Sequence, residues 1–365
     1  MNKRLEKVAA WLRERQIDAA FIHSPQNVYY LTGFSCHPHE RLFGLFVFPQ
    51  AEPFLVLPLL EEERAREAGW TGDIVACDDA ENPWVRVRER LHHRGLKQAA
   101  NLAVEKVSLP VVRAEQLLRL LPGAELVSAD EWLTGLRLIK DERELDRMRE
   151  AARLADIAVQ TGIDSLAEGV SELEVLARIE LEMKKRGVRD MAFSTMVLFG
   201  ENTAHPHSVP GTRRLKKGDL VLFDLGVMLD GYCSDITRTV AFGEPNREQR
   251  LIYETVLKAQ TKAVEACRPG TRLGDLDRMA RDIIREAGFG KYFTHRLGHG
   301  LGIDVHEPPS IHGENDDLLK PGMVFTVEPG IYVPGVGGVR IEDDVCVTEN
   351  EPEVLTGFPK ELLIV

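Results

Sequence analysis

Carboxylates set inside apolar, strand-like segments constrain this chain more than any other feature. In DLVLFDLGVML, Asp224 falls where strand alternation would bury it, and Asp235 opens the next run after a turn at Gly231. FTVEPGIYV carries Glu328 in the middle of an apolar strand, and GVRIEDDV does the same with Glu342. An unpaired buried carboxylate is costly, so such residues call for a cation or strong donors. One Asp alone reads as a turn cap, and one Glu alone as a solvent-facing alternate residue. The joint occurrence of all four is much harder to explain that way. Asp224 and Asp235 are expected to face each other across one hairpin.

Between the Asp pair and the Glu pair lies HRLGHGLGIDVHE. His295 and His299 are four apart, a spacing that on a helix would suit zinc. Gly298, Gly300 and Gly302 argue against a helix, and the glycine spacing does not fit a dinucleotide-binding turn either. Glycines here let backbone or substrate approach closely. Asp224, Asp235, His299, Glu328 and Glu342 then form an oxygen-rich ligand set. Such a set disfavours a tetrahedral structural zinc and suits a pair of divalent ions such as Mn, Co or Fe. Four carboxylates balance the charge of two such ions, which can activate water at neutral pH.

The chain is 365 residues long, which suggests two domains. Residues 1–125 alternate strand and helix signals: AAFIHS, LFGLFVFP, PFLVLP, DIVACDD and NLAVEK as strands, with EEERAREAGW and VRVRERLHHRGL as helices. They are read as an α/β domain, closed by turn residues in LPGAELVSAD. Residues 126–365 are read as α+β. DERELDRMREAARLADIAVQTGIDSL and SELEVLARIELEMKKRG are helical, the second with a Ser cap, a Glu at its third position and a stop at Gly187. Helix–helix–strand–strand runs recur in the two halves of this region, a hint of internal duplication.

Lys+Arg 46 against Asp+Glu 58 gives −12, which argues against a nucleic-acid partner. Apolar runs such as 42–48 are far short of the roughly 20 residues that span a bilayer, so no membrane partner is expected. The opening MNKRLEKVAAWLRERQ reads as an amphipathic helix with Leu5, Val8, Ala9 and Leu12 on one face, rather than a signal peptide. Five scattered Cys without a CxxC pair point to a reducing, cytoplasmic setting.

The order Asp, ten residues, Asp, then HxxxGHGxGxxxHE, EPG and RxED resembles the metal-dependent Xaa-Pro peptidases. These are prolidase (Xaa-Pro dipeptidase) and aminopeptidase P, which share the pita-bread fold with methionine aminopeptidase. The resemblance covers nearly the whole chain, since DAAFIHSPQNVYYLTGF is similar to that family's N-terminal domain. It implies a creatinase/prolidase-like domain at 1–125, a pita-bread metallopeptidase domain at 126–365, and a homodimer. It also implies two divalent ions, Mn favoured over Co, Fe or Zn. Asp224 would chelate one, Asp235 and Glu342 would bridge both, and His299 and Glu328 would complete the second.

By the same resemblance, His207 in TAHPHS, His295, His306 and Arg340 match active-site positions. The bond before proline is a tertiary amide, with no N–H for a protease to grip. Glu328 would take the water proton and pass it to the leaving nitrogen, His306 would donate to the scissile oxygen, and His207 would contact the substrate near the leaving group. His295 and Arg340 would hold the substrate's carboxyl end, or Arg340 would brace Asp235. His205, more often apolar in the family, reads as a wall or surface residue, Glu307 as loop-shaping, and Asp343 and Asp344 as surface charges. The short interval from Glu328 to Glu342 suggests a trimmed loop. In CHPHERL, His39 and Arg41 lie either on a solvated loop or beside a partner subunit's site, where they would meet a dipeptide's free carboxylate. The implied activity is Xaa-Pro dipeptidase, on proline-containing dipeptides or short peptides. Aminopeptidase P on longer peptides is the alternative, followed by a metal-free creatinase-like hydrolase and a non-catalytic binding protein.

Overall fold

The computed structural model describes residues 2–365. Contacts divide the chain into two compact units, Met1–Leu136 and Arg137–Val365.

The first unit runs α1 (Lys3–Glu14), β1 (Ala19–Ile22), α2 (Pro25–Thr32), β2 (Gly44–Val47), β3 (Phe54–Pro58), α3 (Glu62–Glu67), β4 (Asp73–Cys77), α4 (Pro83–His93), β5 (Asn101–Val104), α5 (Val111–Leu120) and β6 (Glu125–Ser128). α6 (Asp130–Leu138) runs through the division between the units. The strands form one mixed sheet in the order β4-β3-β2-β1-β5-β6. β1, β5 and β6 are mutually parallel, and β2 is antiparallel to both neighbours. Phe21, Phe46 and Phe54 stack through its core, with ring centroids 4.7 and 4.9 Å apart. α1 buries Leu5, Val8, Ala9 and Leu12, the stripe its sequence predicts.

Two features depart from the sequence reading. α2 occupies a stretch without a helical pattern of useful length; Ser24 caps it, Pro25 fits its first turn, and Gly33 at φ 79° ends it. The LPGAELVSAD segment contains more than turns. Residues 125–128 form β6, paired parallel to β5, and the first unit continues through it to Leu136.

The second unit runs α7 (Glu142–Asp164), α8 (Glu172–Lys185), β7 (Asp190–Met191), β8 (Met196–Phe199), β9 (Asp219–Leu225), β10 (Val227–Leu229), β11 (Tyr232–Cys233), β12 (Ile236–Phe242), α9 (Arg247–Glu265) and α10 (Leu273–Glu286). It ends with β13 (Gly298–Gly300), β14 (Glu307–Ile311), β15 (Val324–Val327), β16 (Gly330–Val333), β17 (Gly337–Arg340), β18 (Asp343–Cys346) and β19 (Glu353–Val354). Asp141 with Glu144 and Ser171 with Glu174 form capping boxes at the starts of α7 and α8. The suspected duplication appears as two cores. One packs Ala155, Val159 and Ile179 of α7 and α8 against Phe223 and Val240 of β9 and β12. The other packs Ile252, Val256 and Ile284 of α9 and α10 against Phe325 and Val345 of β15 and β18. The interval from Glu328 to Glu342 is filled by the β16–β17 hairpin.

Asp343 and Asp344 are not surface charges. Their relative exposures are 0% and 1%. Asp343 accepts from Arg238, Gln260, Thr356 and Lys360, and these donors are what make its burial tolerable. Burial works to raise the Asp343 carboxyl, but Arg238 and Lys360 outweigh it and hold it below its ordinary value. The Asp344 carboxylate accepts the Asp235 backbone N–H at 2.9 Å. All five cysteines are free and buried. Among the described residues, no helix is long and apolar enough to cross a membrane.

Candidate metal centre and substrate pocket

The four carboxylates singled out by the sequence converge where strands end. Asp224 lies in β9 opposite Thr237 of β12, and Asp235 lies in the link just before β12, so the two are not directly opposite across one hairpin as the sequence suggested. Glu328 falls between β15 and β16, and Glu342 between β17 and β18. The sequence placed both Glu residues mid-strand; instead each sits where the chain leaves one sheet for another. That frees the side chain from strand alternation and lets both point to one place. His299 reaches the same place from β13, the short strand that replaces a helix as the glycines predicted. A Cβ on Gly298 would lie 1.9 Å from the Thr326 carbonyl oxygen, and one on Gly300 would lie 2.2 Å from that of Pro308. Only glycine allows this approach of strands.

Ligand atoms of Asp235, His299 and Glu342 all lie within 4.8 Å of one another. His299 Nε2 is 3.4 Å from Glu328 Oε1 and 3.8 Å from Asp235 Oδ2. Asp235 Oδ1 is buried and has no hydrogen-bond partner among the described residues. A buried carboxylate oxygen without a donor, amid three other carboxylates and an imidazole, fits a divalent cation and little else. Burial, with Glu342 next, pushes the Asp235 carboxyl well up; burial, with Glu328 next, does the same to Glu342. Burial raises Glu328 to about 7. Burial pushes His299 down to about 3, helped by the neighbouring His306, so its imidazole is neutral and able to coordinate.

These groups line a cavity of about 440 Å³ together with His207, His295, Arg296, His306 and Arg340. Phe193, Met196 and Val305 give it an apolar wall. The His306 ring stands edge-on to His299, centroids 4.1 Å apart. Burial lowers the His306 imidazole, with Arg296 acting in the same direction, so at neutral pH it carries one N–H to donate. His205 is exposed and does not line the cavity.

Arg340 is committed to the protein. It donates to Asp224, to Thr237 Oγ1 at 3.0 Å and to the Tyr332 hydroxyl at 2.8 Å. It thus braces Asp224 rather than Asp235. His295 is likewise engaged, its Nε2 2.9 Å from the Tyr332 hydroxyl and its Nδ1 2.8 Å from the Arg296 carbonyl. Thr237 donates to Glu342 at 2.5 Å. The sequence reading missed Tyr332, Thr237 and Arg296. Tyr332 and Thr237 stand four and two residues after Glu328 and Asp235, and Arg296 lies inside the histidine run. In the first unit, His39 is exposed at φ 53°, and Arg41 holds Asp79 through two bonds of 2.6 and 2.8 Å.

A cluster of buried carboxylates with one neutral imidazole, at the junction of two similar half-domains, defines a metallohydrolase centre. Residues 146–349 match the metallopeptidase family M24, and residues 4–139 match the creatinase/prolidase N-terminal domain. The chain belongs to metallopeptidase family M24, among the Xaa-Pro peptidases, and has their pita-bread fold. A Bacillus subtilis (strain 168) protein, YkvY, whose name assigns it provisionally to the dipeptidases, is 57% identical over 361 residues, 99% of either chain. The prolidase of Pyrococcus horikoshii OT3 is similar at TM-score 0.91 and 38% identity, covering 99% of this chain and 100% of that one. The X-Pro aminopeptidase of Thermotoga maritima MSB8 is similar at 0.88 and 29%, covering 96% and 99%.

Proposed function

We propose that this metallopeptidase hydrolyses the peptide bond before proline, as an Xaa-Pro dipeptidase with two divalent ions. The observation that carries this is the cavity itself. Four carboxylates and His299 line it, its apolar lining of Phe193, Met196 and Val305 suits a pyrrolidine ring, and Arg296 lines the same cavity. Asp224, Asp235, His299, Glu328 and Glu342 would hold the ions, with Mn the preferred metal. When bound, they supply positive charge to the scissile carbonyl and make water acidic enough to attack at neutral pH.

The chain's own residues do the rest. Glu328, ionised once the site is loaded, accepts a proton from the attacking water and returns it to the proline nitrogen. His306 donates its N–H to the carbonyl oxygen as charge builds there. His207, at the cavity edge, contacts the substrate near the leaving group. His295 and Arg340 act through Tyr332 and Asp224, keeping the ligand carboxylates oriented rather than gripping the substrate.

The free carboxylate of a dipeptide falls to Arg296. Its side chain donates to Ser310 Oγ at 3.1 Å, a neutral acceptor that a carboxylate can outcompete. Charge-assisted bonds of this kind contribute about 1.5–3 kcal/mol. A peptide that continues past proline loses that pairing, so Xaa-Pro is favoured at least about tenfold in kcat/KM over Xaa-Pro-Xaa. The test is proline release from Ala-Pro and hydrolysis of Ala-Pro-Ala by the Mn-loaded protein, repeated with Arg296→Met. Equal cleavage of both by the parent assigns the protein to aminopeptidase P chemistry instead. An unchanged preference in Arg296→Met removes Arg296 from the site.

A further inference from the structure

The segment that carries His306 has no helix or strand of its own. Residues 301–306 link β13 to β14, and within them Val305 and His306 line the cavity. The register of the β13–β14 pair slips between His299 and Gly300, so the chain there is re-aimed by a bulge. Backbone bonds hold its first part: Cys233 N–H donates to the Gly302 carbonyl at 2.7 Å, and Gly302 N–H to that of Asp304 at 3.0 Å. Beyond the ladder pairing of Glu307 with Gly300, the part around His306 is held by side chains. One nitrogen of Arg137, Nη2, donates to Asp304 Oδ2 at 2.7 Å and also to Glu307 Oε2. Arg137 therefore pins both ends of the short stretch that presents Val305 and His306.

Lys140 adds a second grip, its Nζ 2.8 Å from Glu307 Oε1. The Lys140 backbone is itself fixed, donating to the Gly322 carbonyl at 2.8 Å. The side chains of Glu307, Lys140 and Arg137 are only 7%, 2% and 10% exposed. Gly302 makes room for this arrangement, because a Cβ there would lie 2.8 Å from Glu307 Oε1. Buried ion clusters gain little net stability over apolar packing, so stability alone does not account for this one. What it does supply is a fixed place for the adjacent imidazole.

We propose that Glu307, gripped by Arg137 and Lys140, is a positioning residue that sets the place of His306 over the metal centre; this rests on the peptidase reading above. Glu307 bonds to Arg137 and Lys140 and does not line the cavity, so its effect on the reaction passes through His306. A misplacement of about 1 Å can cost on the order of a hundredfold in rate.

The test is a kinetic cycle of Glu307→Gln and His306→Ala in the Mn-loaded protein, assayed on Ala-Pro with metal content measured alongside. Glu307→Gln is expected to lower kcat about ten- to a hundredfold, with KM within about twofold and Mn unchanged. In the His306→Ala background the same substitution should change kcat by less than about twofold. Equal losses in both backgrounds, or no loss in either, overturn the proposal. Should Glu307→Gln fold poorly, Glu307→Gln with Lys140→Met removes one charge of each sign and leaves Arg137 paired with Asp304. That double variant should unfold near the parent's midpoint and still turn over slowly. Recovery of kcat together with the midpoint would show a purely structural ion cluster. A parent inactive on Ala-Pro removes the peptidase reading and this proposal together, whereas an active parent with additive losses removes only the proposal.

Discussion

Metal uptake should release protons, and the buried carboxylates set how many. Without a cation, Glu328 has its carboxyl at about 7 against an ordinary 4.5, chiefly from burial. At pH 6 it is therefore about nine-tenths protonated. Burial pushes Asp235 and Glu342 up as well, which works in the same direction. His299, at about 3, is already neutral and contributes none. Divalent ions require ionised carboxylates, so binding at pH 6 should release about one proton from Glu328 alone. Apparent affinity then rises at least about tenfold per pH unit in that region. Near pH 8 the share from Glu328 falls to about a tenth of a proton.

The sign for stability follows from the same shift. The folded-state value for Glu328 is raised, so its contribution to the metal-free fold is complete below about pH 4.5. It is lost as pH rises through about 7 and amounts to roughly 3 kcal/mol. Cation binding must offset that loss. Isothermal titration of chelator-stripped protein with Mn²⁺, in two buffers of different ionisation enthalpy, measures the protons directly. Glu328→Gln should release about one fewer than the parent at pH 6 and nearly the same number at pH 8. No release at pH 6, or an equal release from parent and variant, would refute the argument.

Four further outcomes test the site and its frame. Glu342→Ala should lose at least one metal ion per chain by elemental analysis, since it removes one of the two bridging carboxylates proposed. Glu328→Gln should lower kcat by roughly 10²–10⁴ if it carries the proton, and His306→Ala should lower kcat more than it raises KM, both read in steady-state assays. Arg238→Met should destabilise the protein by about 3–5 kcal/mol in chemical denaturation, because it leaves the buried Asp343 short of its closest cation.

The proposed ligand set could be picked out in the sequence because it breaks a rule: acids in apolar runs have to be explained. Asp224 and Asp235 declared themselves by that conflict, and so did the glycines around His299. Asp343 and Asp344 break the same rule but stand next to Glu342, where three acids in a row look like a charged turn. Only the structure shows Arg238 arriving from β12 to accompany Asp343. The role of Arg340 was divided between two readings because sequence spacing says nothing about what a guanidinium faces. Its partners Thr237 and Tyr332 lie 103 and 8 positions away. β6 and α2 escaped for a local reason. Glu125–Ser128 has two exposed ends and needs β5 to become a strand, and α2 is only eight residues long, too short to show a helical period.

The five proposed ligands are shared between the two cores of the second unit. Asp224 and Asp235 belong to the half built on α7 and α8, and His299, Glu328 and Glu342 to the half built on α9 and α10. A bound cation would therefore act as a cross-link, closing a chain loop from residue 224 to residue 342, 342 − 224 = 118 positions. In the loop-entropy treatment of covalent cross-links, a closure of that length is worth about 5 kcal/mol against the unfolded chain. The same ions that serve the reaction would thus tether the two halves, which can part independently only after the metal has left.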